Sequence, residues 1–314
     1  MADVARVAQA LRNGISRVIV GKEQVIELAL AALLSEGHLL IEDVPGIGKT
    51  MLAKSLARTL GCTFRRLQCT PDLLPSDIIG LHFFNQKTQE FEFRPGPVFT
   101  NILLADEINR ATPRTQAALL ECMEERQVTL ETGTVTLGRP FMVLATQNPI
   151  ELQGTFPLPE AQLDRFLLQL PVGYPSAGDE AEILRRFRVG NPLDNLEPVA
   201  SPDEIIHLAH EVRSVHISPA VEEYIVSIVR ATRNHPEIEL GASPRGSLGL
   251  YRTAQALAAI RGRGHVLPDD VKELTPYVLS HRLIMTAQAR LRERGAREIA
   301  QEILRSVPAP VEAE

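Results

Sequence analysis

Short apolar runs and longer amphipathic stretches alternate through the first half of the chain. The runs fall at His38–Ile41, Phe64–Leu67, Ile102–Ala105, Phe141–Ala145 and Phe166–Leu170. They read as strands of a buried sheet. Together they predict a five-stranded, mostly parallel sheet. Between the first two, Leu52, Leu56 and Leu60 recur at helical spacing across Thr50–Leu60, with Ala53 and Ala57 beside them. After the third, Thr112 suits an N-cap and Pro113 the first helical position. Gln116, Leu119, Leu120 and Met123 then recur at i, i+3, i+4 and i+7. This alternation of strand and helix predicts an α/β sandwich.

Two hairpins interrupt the alternation. Val128–Leu130 and Val135–Leu137 flank Glu131-Thr132-Gly133-Thr134, a turn signature with glycine. The segment from Ile78 to Phe93 holds four of the ten phenylalanines, and its polar middle, Asn85–Glu90, also predicts a hairpin. The two inserts span about 78–95 and 126–139. After Pro171 the pattern changes. Gly173–Gly178 reads as a linker, and strand signals give way to helical stretches near Asp179–Val189, Asp203–Arg213, Pro219–Arg233, Pro244–Arg261, Pro268–Ser280 and Arg282–Ser306. Ser218-Pro219 and Ser243-Pro244 are cap-plus-first-turn signals, and Pro268-Asp269-Asp270 places acids in a first turn. An α/β domain over 1–175 and a helical domain over 176–314 account for the chain.

Composition narrows the function classes. The 314 residues are 44% hydrophobic and 23% charged, enough for a sizeable core. A net charge of −6, aromatics at 4% and no tryptophan disfavour a protein that coats nucleic acid or stacks bases. Cys62, Cys69 and Cys122 are odd in number and form no CxxC pair, which favours a reducing compartment over a disulfide framework. The opening MADVARVAQALRNG lacks the apolar core of a signal peptide, and Ile26–Leu34 is too short to span a bilayer. A cytoplasmic protein with no membrane span is the expectation.

The chemistry concentrates at three strand ends. Leu39-Leu40-Ile41 leads into Glu42-Asp43-Val44-Pro45-Gly46-Ile47-Gly48-Lys49-Thr50 and then a helix, the context of a Walker A loop. Glycines let backbone N–H groups close round phosphates, and the helix N-terminus favours the anion. Lys49 reaches the β- and γ-phosphates, and Thr50 can ligate Mg²⁺. Asp43 stands where the pattern has its first glycine. The third run ends in Asp106-Glu107, where Asp106 can hold Mg²⁺ through water and Glu107 can polarise an attacking water. The fourth ends in Thr146-Gln147-Asn148-Pro149, whose amide can orient that water.

These pieces, in this order, resemble the AAA+ ATPases and specifically the MoxR family. The signatures are EDVPGIGKT, LLADEINRATPRTQAALLECMEE, ATQNP, LPEAQLDRF and ASPRG, and the resemblance runs from Val20-Gly21-Lys22 to the helical tail. It implies a three-layer P-loop sandwich with a five-stranded sheet, followed by an all-helical lid. It implies sensor 1 at Asn148, an arginine finger at Arg165 acting on the neighbouring subunit, and sensor 2 at Arg245, carried by the lid onto the subunit's own nucleotide. The implied nucleotide-binding set is Val20, Gly21, Pro45, Gly46, Ile47, Gly48, Lys49, Thr50, Met51 and Asp106, with Thr50 and Asp106 also at the metal. The hairpins would face the pore or partners of a hexameric ring.

The implied activity is hydrolysis of ATP to ADP and phosphate with Mg²⁺, in a chaperone-like remodelling module. Assembly would be an ATP-dependent homo-hexamer, and the implied partner is a protein carrying a von Willebrand factor type A domain. Alternatives are an AAA+ nucleic-acid motor, a P-loop kinase, and a nucleotide-dependent scaffold with negligible turnover.

Overall fold

A computed structural model describes residues 1–42, 46–130, 133–148 and 154–310. Two helices precede the first strand: α1 (Ala2–Ser16) and α2 (Glu23–Leu34). The run from Ile26 to Leu34 in α2 shows no amphipathic spacing, because every residue of that run is buried, Glu27 included. A helix enclosed on all sides has no polar face to mark its period. Glu27 is compensated inside by Arg261, whose Nη2 lies 2.9 Å from its carboxylate.

The α/β part continues with β1 (Leu39–Glu42), α3 (Lys49–Thr59), β2 (Phe64–Gln68), α4 (Pro75–Ile79), the hairpin strands β3 (Gly80–Asn85) and β4 (Glu90–Pro95), and β5 (Ile102–Asp106). Then follow α5 (Pro113–Glu125), the second hairpin's strands β6 (Gln127–Leu130) and β7 (Gly133–Thr136), β8 (Met142–Gln147), α6 (Glu160–Leu163) and β9 (Leu168–Leu170). The five predicted runs form one sheet in the order β2-β5-β8-β1-β9, and every pairing in it is parallel. Strand β8 therefore lies between the strand that enters the glycine loop and the strand that ends in Asp106. Thr112 caps α5 through the Thr115 N–H, and Pro113 opens it, as the spacing predicts. Residues 131 and 132, part of the predicted turn signature, lie outside the described residues.

Side chains of the sheet alternate between two apolar clusters. Leu40, Leu103, Ala105 and Val143 face α5, with Ile78, Val98 and Phe166 completing that side. Leu39, Ile41, Leu104 and Leu144 face α1, α2 and α3, and this second cluster continues without a break into the helical half. That half comprises α7 (Ala177–Val189), α8 (Pro202–Val212), α9 (Pro219–Arg233), β10 (Ile238–Leu240), α10 (Pro244–Ile260), α11 (Pro268–Leu279), β11 (Ile284–Met285), α12 (Ala287–Leu291) and α13 (Ala296–Ser306). Ser176, Ser218 and Ser243 cap α7, α9 and α10 with their side chains. Ser176, read as linker, thus starts a helix.

The predicted helix over Arg282–Ser306 is broken. Ile284–Met285 pairs antiparallel with Ile238–Leu240, a small ribbon in a half expected to hold helices alone. Thr286 then caps α12, Glu293 takes a left-handed backbone at φ 56°, and Gly295 precedes α13. Among the described residues, no helix is long and apolar enough to cross a membrane.

Candidate functional site

At the edge where the parallel strands end, Gly46 and Gly48 adopt φ of +86° and +91° with nothing near a would-be Cβ. It is backbone conformation, not space, that requires glycine at both. Gly48 is the N-cap of α3, so Lys49, Thr50 and Met51 form its first turn with their N–H groups facing the loop. Ile47 packs onto the apolar cluster beneath. Pro45 and Asp43 lie outside the described residues. Glu42 ends β1 just before the loop. Its burial pushes its carboxyl upward, against a hydrogen bond donated by Gln169.

Asp106 and Glu107 are held by groups whose role spacing did not reveal. The Thr146 hydroxyl donates to Asp106 Oδ1 at 2.6 Å and accepts from the Glu107 N–H at 2.8 Å. One buried oxygen thus ties the end of β8 to both carboxylate residues. Arg66 donates to Asp106 Oδ2 at 2.6 and 3.1 Å. Glu107 sits in a left-handed backbone, φ 57° and ψ 52°, uncommon for a residue with a side chain. Its Oε2 accepts from Gln68 Nε2 at 2.9 Å and from Arg110 Nη1 at 3.2 Å. Asn148 follows β8 directly, half-buried, between the glycine-loop strand and the Asp106 strand.

Val20 and Gly21 lie between α1 and α2. A Cβ on Gly21 would stand 2.3 Å from a carboxylate oxygen of Asp179, so this backbone packs directly on the start of α7. Lys22 Nζ donates to the Tyr174 carbonyl at 2.9 Å in the same seam.

Arg165 and Arg245 lie elsewhere. Helix α5 starts near the strand ends and runs back over 13 residues, about 20 Å, to the edge where the strands begin. His38, at the start of β1, places its Nε2 2.9 Å from the Met123 carbonyl of that helix, which fixes the level. Glu124 of α5 accepts a bidentate pair from Arg245 at 2.8 and 3.1 Å, and Arg165 Nε lies 3.9 Å from the same carboxylate. In this arrangement Arg245 pairs with Glu124 at the end of α5 away from the glycine loop. Arg245 sits with Arg165 at the opposite edge of the sheet. Nearby, Arg126, Arg139 and Arg213 converge on Glu36. Burial raises this carboxyl, but hydrogen bonds from Arg139 and Arg126 outweigh it and bring it down to about 2.

Comparison with known proteins agrees with the geometry. The family described as "ATPase family associated with various cellular activities (AAA)" matches residues 38–168, and the AAA lid domain matches residues 230–303. The chain is 51% identical over 298 residues to the uncharacterised protein YeaC of Bacillus subtilis, covering 95% of this chain and 93% of that one. It is 44% identical over 305 residues to Chaperone MoxR1 of Mycobacterium tuberculosis, covering 94% and 80%. A crystal structure of a candidate ATPase from Cytophaga hutchinsonii superimposes with a TM-score of 0.93 at 39% identity, covering 99% of this chain and 97% of that one. A glycine loop opening α3, paired carboxylates ending β5 and a polar strand end between them stand on a sheet shared with these relatives, and the chain belongs to the MoxR family of AAA+ ATPases.

Proposed function

We propose that this chain is a Mg²⁺-dependent ATP hydrolase whose catalytic sites are each assembled from two subunits of a ring. The observation that carries this reading is the position of Arg165 and Arg245 on Glu124, at the far end of α5 from the glycine loop. Arginines there complement a neighbour's nucleotide more readily than the subunit's own.

In this reading the N–H groups opening α3 and the Lys49 ammonium cradle the phosphates. The oxygen donors of Thr50 and Asp106 suit Mg²⁺, which takes one or two carboxylates or hydroxyls together with phosphate and water. Bound there, the ion would supply positive charge that offsets the charge of the phosphates. Glu107 accepts a proton from the attacking water after exchanging its contacts with Gln68 and Arg110, and Asn148 orients that water. Arg165 and Arg245 of the adjacent subunit stabilise charge on the γ-phosphate as it leaves. Val20 and Gly21 border the base, with Ile47 and Met51 beside the phosphates.

The remodelling role rests on the first hairpin. Phe84 and Phe91 stack edge-on with centroids 5.4 Å apart, yet are 50% and 73% exposed. Phe93, by contrast, anchors the base against Phe99. An exposed aromatic tip on an anchored ribbon is suited to gripping a client or a partner with a von Willebrand factor type A domain in a cytoplasmic hexamer.

The test is ATPase rate per subunit against protein concentration, with assembly size measured alongside. Wild-type activity should rise with assembly, and Lys49→Ala and Glu107→Gln should abolish it. Arg165→Ala should cost ~10³-fold or more, and mixing it with Lys49→Ala should restore activity, since each supplies what the other lacks. A rate independent of concentration, with Arg165→Ala silent, overturns the shared site.

A further inference from the structure

The loop that carries Arg165 is fastened to the helical half by an ionic clasp. Asp164, the residue before Arg165, accepts at Oδ1 from Arg282 Nε at 2.7 Å and at Oδ2 from the Ser243 hydroxyl at 2.8 Å. Ser243 is the N-cap of α10, and its oxygen also accepts the Arg245 N–H at 3.1 Å. An unbroken chain of contacts therefore runs from Arg165 through Asp164 and Ser243 to Arg245.

Arg282 closes the clasp from the other side. Its side chain is 3% exposed. Beyond Asp164 Oδ1, its Nη2 donates to the carbonyls of Phe166 at 2.7 Å and Asp164 at 3.2 Å, and its Nη1 to the carbonyl of Leu167 at 3.3 Å. These carbonyls flank Arg165 on both sides. A buried guanidinium is costly unless its donors are met; here the finger loop's backbone supplies three partners, and the Val278 carbonyl of α11 also accepts from Nη1. Two glycines of α10 let the end of α11, next to Arg282, approach closely. A Cβ on Gly246 would meet Leu279 at 3.1 Å and Arg282 Cδ at 3.7 Å, and one on Gly249 would meet Val278 at 3.0 Å and Leu167 at 3.5 Å.

We propose that Asp164 and Arg282 are positioning residues that lock the Arg165 loop and the Arg245 helix into one body, so that both arginines reach a neighbour's nucleotide in a fixed relative geometry. The inference rests on the shared-site reading. Neither residue touches nucleotide; both act on the arginines alone. The two arginines then move together or not at all, and the half of the catalytic site lent to a neighbour is set by a contact inside the lender.

Asp164→Asn and Arg282→Lys test this in the full-length chain, with Ser243→Ala as a milder third variant that removes one of the two hydrogen bonds to the carboxylate. Each is measured for kcat and KM of ATP hydrolysis, for ADP affinity, for thermal unfolding, and again after mixing with Lys49→Ala subunits. A misplaced group costs up to ~10²-fold, so Asp164→Asn and Arg282→Lys should lower kcat about 10- to 100-fold, and Ser243→Ala by less. KM and ADP affinity should stay at wild-type values. Mixing with Lys49→Ala, whose arginines are intact, should restore the rate.

Unchanged kcat in the folded variants overturns the proposal. So does a loss that mixing fails to rescue while the Arg165→Ala loss is rescued, since the clasp would then serve the subunit's own site. If mixing rescues neither, the shared-site reading itself has failed and the clasp falls with it. Should Arg282→Lys not fold, Asp164→Asn and Ser243→Ala decide between the same outcomes.

Discussion

Where the strands of the sheet end, each chemical group comes from one short stretch of chain: Gly46–Thr50 after β1, Asp106-Glu107 after β5, Thr146–Asn148 after β8. Where the strands begin, Glu124, Arg165 and Arg245 come from α5, the turn before β9 and α10. At both edges, charged groups suited to a nucleotide have side-chain partners of opposite charge. Asp106 faces Arg66, Glu107 faces Arg110, and the two arginines share Glu124. What separates the edges is their architecture. One is shaped by backbone and short loops, the other by long-range contacts between the sheet domain and the helices.

Thr146→Val offers the sharpest test of the strand-end edge. It keeps the shape of a buried side chain but removes the oxygen that ties Asp106 to the Glu107 backbone. Loss of that alignment should lower kcat roughly 10- to 100-fold, with ADP affinity close to wild type. Rescue by mixing with Lys49→Ala should fail, because the defect lies in the site that binds the nucleotide. Rescue would break the distinction between the two edges.

Glu124→Gln probes the strand-start edge more gently. The pair with Arg245 is half-exposed on both sides, and exposed pairs of this kind contribute about 0–1 kcal/mol. Freeing the arginines should lower the protein concentration needed for half-maximal ATPase by up to about fivefold. A shift the other way would mean that Glu124 holds the arginines in their working pose.

A separate effect, on stability and not on rate, depends on pH. Burial pulls His38 down to about 4 from an ordinary 6.5, against the hydrogen bond its ring makes with Met123 and with some help from Arg126. The Val143 N–H donates to its Nδ1 at 3.0 Å, so the neutral ring bridges α5 and β8. Between pH 6.5 and 4 the unfolded chain binds the proton more readily, so stability falls as pH falls, by something on the order of 3 kcal/mol for this group. His38→Gln should unfold with a shallower acid slope than wild type in that window. An identical slope would place the sensitivity in other groups.

Much of the strand-end edge is legible in the sequence because its causes are local. Glycines at positive φ beside the helix opening at Lys49, and carboxylates directly after a buried run, are each set by residues adjacent in the chain. Thr146 escaped notice because its two partners lie about 40 residues upstream. Helix α2 carries no periodic signal because it is enclosed on every side. The Arg282–Ser306 stretch reads as one helix, yet two of its residues pair with a strand more than 40 positions earlier. Asp164 and Arg282, 118 positions apart, make a pair that spacing cannot suggest.

The sequence alone determined the parallel sheet, the phosphate loop, the acid pair and the family, because these follow from periodicity, turn chemistry and motif order along a single stretch. Only the tertiary structure decided which edge each arginine occupies and what holds it there. Charges distant in the chain acquire a role only when folding brings their partners within hydrogen-bonding distance, and burial then determines how strongly they are held.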